Sequence, residues 1–150
     1  AHDFACRLIW KRYRKICKIA EGIDADTADE EIHALRIHCK KLRYLMEFFG
    51  PVFPKSAFNR LIKPLKRLQD NLGLFNDYSV QQENLQAFLS GLDHTDHARN
   101  LELAQSVGAL IAILHQRQSE ERAKVVASFA HFNSADTQKT FRDLFHGGKE

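Results

Sequence analysis

The sequence predicts an all-α protein, an antiparallel bundle of about four long helices followed by a short C-terminal helix. Three observations carry that prediction. Apolar residues return at spacings of three and four along most of the chain, and no stretch sustains the alternation of β-branched residues that a half-buried strand needs. Only 7 glycines and 3 prolines fall among 150 residues, which excludes collagen-like, disordered and low-complexity chains. Apolar residues make up 44% and charged residues 27%, a globular balance at a length that suits one domain with a core of its own.

The first helix is expected over residues 3–23, with Leu8, Ile9, Ile16 and Ile19 on one side and Gly22 at its end. Thr27, with Glu30 three residues on, reads as a capping box that starts a second helix, and Gly50-Pro51 stops it. Ile32, Leu35, Cys39, Leu42, Met46 and Phe49 form the apolar stripe of that helix. Pro54 opens a third helix, because a proline's missing amide hydrogen costs nothing in the first turn. Leu61, Ile62, Leu65, Leu68 and Leu72 are its inward set, and Pro64 predicts a kink or break near Ile62 and Lys63. Helical pattern resumes over residues 74–89, with Gly91 as terminator. Thr95 or Asp96 caps the longest helix, which reaches to Phe132, and Asp136 caps a short last one that ends before Gly147-Gly148.

The longest aliphatic run, residues 109–114, is far below the roughly 20 residues that cross a bilayer, and no signal peptide opens the chain. A cytoplasmic protein with no membrane partner is expected. The three cysteines, Cys6, Cys17 and Cys39, lack C-x-x-C spacing and sit in helical patterns, so they read as buried, unreactive thiols. A start at Ala1, followed at once by a helical pattern, suggests a piece excised from a longer protein.

Charge is distributed unevenly. Residues 1–70 hold 15 Lys and Arg against 9 Asp and Glu, whereas residues 71–150 hold 7 against 10. On the second helix His33, Arg36, Lys40, Arg43 and Tyr44 share a face away from the apolar stripe, with Lys41 at its edge. The third helix places Arg60, Lys63 and Arg67 opposite its leucines, with Lys66 beside them. The first adds Arg7, Lys11, Arg14, Lys15 and Lys18. Like charges three and four residues apart repel by a few tenths of a kcal/mol each, so stripes nearly free of acids favour a counter-anion. The first three helices are therefore expected to line a basic groove for a phosphate-rich ligand, gripped bidentately by arginine and as point charges by lysine.

Other chemistries find less support. No glycine pattern fits a phosphate-cradling loop, and no nucleophile-elbow or catalytic-cysteine signature is present, so an enzyme is not expected. Glu30 and His33 have the spacing of one di-iron ligand pair but no second copy, and residues 93–97 (Asp-His-Thr-Asp-His) read as a helix cap rather than a metal loop. Neither a metal nor another cofactor is expected. A nucleic-acid backbone would meet the same stripes, although Phe48, Phe49, Phe75, Phe88 and Phe129 read as core rather than as stacking platforms for bases. A scaffold docking an acidic protein is the third reading. His33 could donate to phosphate when protonated or rest neutral against a neighbour, and Asn76 with Asp77 read as a brace of the bundle.

The segments IHALRIHCKKLRYLMEFFGPVFP and LKRLQDNLGLFNDYSV, residues 32–54 and 65–80, resemble the CHAD family, the conserved histidine α-helical domain. His33, Arg36, Lys40, Arg43, Tyr44 and Glu47 carry the first motif, and Leu68, Gln69, Leu72, Gly73, Asn76 and Asp77 the second. The match looks like the second of the two helical repeats of such domains, so that residues 1–150 would be the C-terminal half of a two-repeat domain. The resemblance implies non-catalytic binding of inorganic polyphosphate, association with polyphosphate granules, and a fused or associated CYTH-type triphosphatase domain. It also implies that a dimer could complete a half-built cavity. The family's basic face carries over to His33, Arg36, Lys40 and Arg43, and the charge pattern extends it to Lys11, Arg14, Lys18, Lys63 and Arg67. Pro64 departs from the family pattern, in which the matching helix is uninterrupted.

Overall fold

The computed structural model describes residues 2–93 and 95–147. Helix α1 spans His2–Glu21, α2 Asp29–Phe49, α3 Lys55–Ser90, α4 His97–Phe132 and α5 Ala135–Phe141. A 3-10 turn, Gly50–Val52, links α2 to α3, and a π-helical turn, Arg142–His146, follows α5. No strand occurs among the described residues. Four long helices and a short C-terminal one are thus what the apolar periodicity predicts.

The core forms where the stripes meet. Ile9 and Ile16 of α1, the α2 set Ile32, Leu35, Cys39, Leu42 and Met46, and Leu65, Leu68 and Leu72 of α3 are fully buried. Phe75, Phe132 and Phe141 join them. Phe141 stacks on Tyr13 at 3.9 Å between ring centroids, and the Tyr13 hydroxyl donates to Asn133 Oδ1. That contact ties α1 to the far end of α4 and seats the C-terminal turn on α1. Leu8, Ile19, Phe49 and Ile62 lie at the edges of their stripes and are half-buried.

Pro64 does not break α3, which is continuous over 36 residues. Packing outweighs the lost hydrogen bond, because Leu61, Leu65 and Leu68 around the proline are all held in the core.

Two caps differ from expectation. Thr27 is not the N-cap of α2. Ala28 occupies that position with no side-chain cap, and the Thr27 hydroxyl turns back into the loop, accepting from the Asp24 amide at 2.8 Å. Asp29 serves the helix start instead, placing a carboxylate at its positive end and binding Arg122 of α4. For α5 the cap is Ser134, whose Oγ accepts from the Thr137 amide at 3.2 Å, rather than Asp136. Asp96 caps α4 as expected, accepting from the Arg99 amide at 3.1 Å, and Gly91 ends α3. At the C-terminal end Gly147 takes the left-handed conformation, φ 57°, that glycine adopts without strain, while Gly148 lies outside the described residues.

A polar seam joins α3 and α4 to the base of α2. Asn71 Nδ2 donates to the Glu121 carbonyl at 3.0 Å and to its carboxylate at 3.2 Å, and Lys124 Nζ pairs with the same carboxylate at 2.9 Å. Gln82 donates to Gln118 at 2.8 Å, and Gln118 donates to Asp29 at 3.1 Å. These bonds satisfy polar groups whose burial would otherwise cost about 1–3 kcal/mol each. The brace expected at Asn76 and Asp77 is therefore made by Asn71 and Gln118, and Asp77 is exposed. Asn71 lies four residues before Phe75, on the side of α3 that meets α4, whereas Asp77 faces outward.

Candidate anion-binding site

Five of the six lysines and arginines of α1 gather in a groove of about 740 Å³ between α1 and α2, and Arg7 lies outside it. Lys11, Lys15 and Lys18 recur at spacings of four and three, so they share one side of the helix. Arg12 and Arg14 flank them, Leu8 and Leu45 supply apolar wall, and His38 enters from α2. Glu21 is the one carboxylate among the lining residues. None of the five cations forms an ion pair with a described residue. Arg14 lies 6.0 Å above the Trp10 ring, which itself stacks on His146 at 4.4 Å.

Arg12 donates to His38 Nδ1 at 2.6 Å. Only a neutral imidazole offers a lone pair there, so His38 is uncharged when this bond is made. Burial, and then the charges of Arg12, Lys41 and Lys15, hold the His38 pKa below its usual value. Burial leads that shift, and the neighbouring cations add to it in the same direction.

The α2 stripe occupies the other flank of that helix, toward α3. His33 is half-buried with its ring 5.3 Å from Phe75. Arg43 donates through Nε to Glu47 at 2.8 Å and through a terminal nitrogen to Gln69 at 3.3 Å. Arg36 is half-buried without an ion pair to a described residue, and exposed Lys40 lies 5.7 Å from the Tyr44 ring. Arg43 is therefore held by the bundle, while Arg36 and Lys40 keep their charge available.

Lys63 and Arg67 stand apart. With Arg60 they line a cavity of about 470 Å³ between α3 and the corner of α4 and α5, whose other wall is His131, Ser134, Asp136 and Thr137. This cavity shares no lining residue with the α1/α2 groove. The single groove expected from three stripes resolves into two cavities and one helix flank. The cause is helical phase, since α2 buries a stripe wide enough to put His38 and Arg43 on opposite flanks.

Arg12, His38 and His131 carry geometry that charge counting passed over. Arg12 sits four residues from both Leu8 and Ile16, a position on the edge of the apolar stripe, which was the available clue. Two phenylalanines expected in the core are outside it: Phe48 is 77% exposed and Phe88 49%. Tyr44 and Phe48, one turn apart on α2, are both open to solvent.

Cys17 and Cys39 are buried and Cys6 half-buried, with Cys6 Sγ donating to the Leu144 carbonyl at 3.5 Å. Burial raises the Cys17 pKa and pushes the Cys39 thiol up to about 12, so both stay protonated at neutral pH. Of the segment weighed as a metal loop, His94 lies outside the described residues. Asp93 accepts from the Thr95 amide at 3.1 Å and from its hydroxyl at 3.0 Å. Among the described residues no helix is long and apolar enough to cross a membrane.

A search of curated proteins returns no match. The family model described as CHAD domain matches residues 1–86, which takes in α1, α2 and most of α3 and is more than half of the 150 residues. With the helical bundle and the motif residues of α2 and α3 on the same stretch, this chain belongs to the CHAD domain family.

Proposed function

We propose that the protein binds inorganic polyphosphate without catalysing its turnover, holding the polymer by Lys11, Arg12, Arg14, Lys15 and Lys18 and by Arg36 and Lys40 at the neighbouring helix flank. The observation that carries this reading is the α1/α2 groove, where five cations converge without an ion pair to a described residue. Membership of the CHAD family, whose members are linked to polyphosphate, supports it. Cytoplasmic location, attachment to polyphosphate granules and a CYTH-type partner domain belong to the same proposal.

A second reading, single-stranded nucleic acid, is favoured by the exposed Tyr44 and Phe48 beside Lys40 and Lys41, an aromatic platform next to positive charge. Titration with long-chain polyphosphate and with single-stranded RNA of equal charge, at two salt concentrations, separates the two. Preference for polyphosphate at the higher salt upholds the first reading, and equal binding makes the surface a general polyanion site. Binding to neither turns attention to an acidic protein, or to a second copy or repeat that completes the cavity.

A further inference from the structure

The cavity between α3 and the α4–α5 corner differs from the α1/α2 groove in size, in charge balance and in the elements that build it. Arg60, Lys63 and Arg67 rise from one side of α3 at spacings of three and four, and none is in an ion pair with a described residue. Across from them His131 comes from the last turn of α4, and Arg67 lies 3.1 Å from its Nε2. That separation joins residues 64 apart in sequence, so two helices converge on one point.

We propose that this cavity is a second anion site, separate from the α1/α2 groove, that takes a compact phosphate such as inorganic pyrophosphate. A guanidinium that donates to an imidazole lone pair has a neutral acceptor. A phosphoryl oxygen is a stronger, charge-assisted one. When it replaces the imidazole, His131 Nε2 can donate to the same ligand in the tautomer that carries its hydrogen there.

Two features favour a small ligand over a long polymer. The volume of about 470 Å³ is smaller than the about 740 Å³ of the α1/α2 groove. Asp136 in the lining places one carboxylate against three cations, a smaller positive excess than the five cations against Glu21 in the α1/α2 groove, which suits an anion of few charges. The wall formed by His131, Ser134, Asp136 and Thr137 lies beyond residues 1–86, so the complete cavity is not part of the family match.

Histidine-detected NMR of the full 150-residue chain, titrated with sodium pyrophosphate, tests the proposal. The His131 ring signals should shift saturably. Lys63→Gln with Arg67→Gln should weaken the apparent affinity by about tenfold or more, whereas Lys11→Gln with Lys15→Gln should leave it unchanged. Circular dichroism checks the fold of each variant, and the single exposed change Arg60→Gln stands in if the α3 double variant does not fold. The proposal is overturned if His131 does not move, if it moves equally with the α3 cations removed, or if the α1 variant abolishes the shift. Long-chain polyphosphate titrated into the same samples reports on the groove, so failure there is distinguishable from failure here.

Discussion

The base of the molecule and the free end of its long hairpin are made of the same kind of helix but are held in different ways. At the base, α1 and α2 bury the centres of their stripes against α3 and the end of α4. Toward the tip, α3 and α4 pair with each other, and no described residue of 76–106 is buried. Each of these helices has 36 residues, about 54 Å of rise, against 20 and 21 for α1 and α2, so the excess length has only one neighbour. Leu101, Leu110 and Ile113 are at least half exposed there. Charge divides along the same line. The candidate binding residues all lie at the base, whereas residues 74–117 hold Asp77, Glu83, Asp93, Asp96 and Glu102 against Arg99 and Arg117. An apolar residue in a helix is therefore no measure of stability until its neighbours are known.

The largest test of that contrast is Phe132→Ala, which empties a fully buried site where α4 meets Tyr13 and Phe141 and should cost about 3–5 kcal/mol in urea unfolding. A much smaller loss would show that the aromatic corner does not hold the base. Next in size is the charge reversal of Arg36 and Lys40 to glutamate, which removes two charge-assisted contacts at roughly 1.5 kcal/mol or more each. Polyphosphate affinity should fall by about a hundredfold or more in a titration while helicity and melting stay nearly unchanged. If the protein unfolds instead, the stripe is structural.

Asn71→Ala removes the donor to Glu121 and should cost about 1–3 kcal/mol, between the effects of core and tip. The smallest change expected is Leu110→Ala at the hairpin, within about 0.5 kcal/mol by the same denaturation. A large effect there would mean that the tip is covered in solution, which sedimentation would detect as association.

His38 sharpens the comparison by pH. Its pKa is lowered in the folded protein, so the unfolded chain binds the proton more readily. This group's contribution to stability is therefore present above its unfolded value of about 6.5 and is lost as pH falls through the lowered one. An anion in the groove reverses the repulsion from Arg12, Lys41 and Lys15 and favours the imidazolium. Polyphosphate affinity should accordingly rise as pH falls through the titration of His38, with proton uptake seen by calorimetry in two buffers, and His38→Gln should flatten that slope.

Periodicity and local residue type determined the all-α class, the stripes of α1 to α3, a cap at Thr95 or Asp96 and the Gly91 stop, because each depends on residues within one or two turns. The basic character of the first half and the CHAD motifs at residues 32–54 and 65–80 were equally legible, being properties of composition and local spacing. Tertiary packing decided the rest. It kept α3 whole through Pro64, gave the capping of α2 and α5 to other residues, and exposed Phe48 and Phe88, since burial depends on which helix lies alongside. It also divided the cations among two cavities and a flank, because a helix fixes only the angle at which a side chain leaves it, and the neighbouring helices fix what that side chain meets.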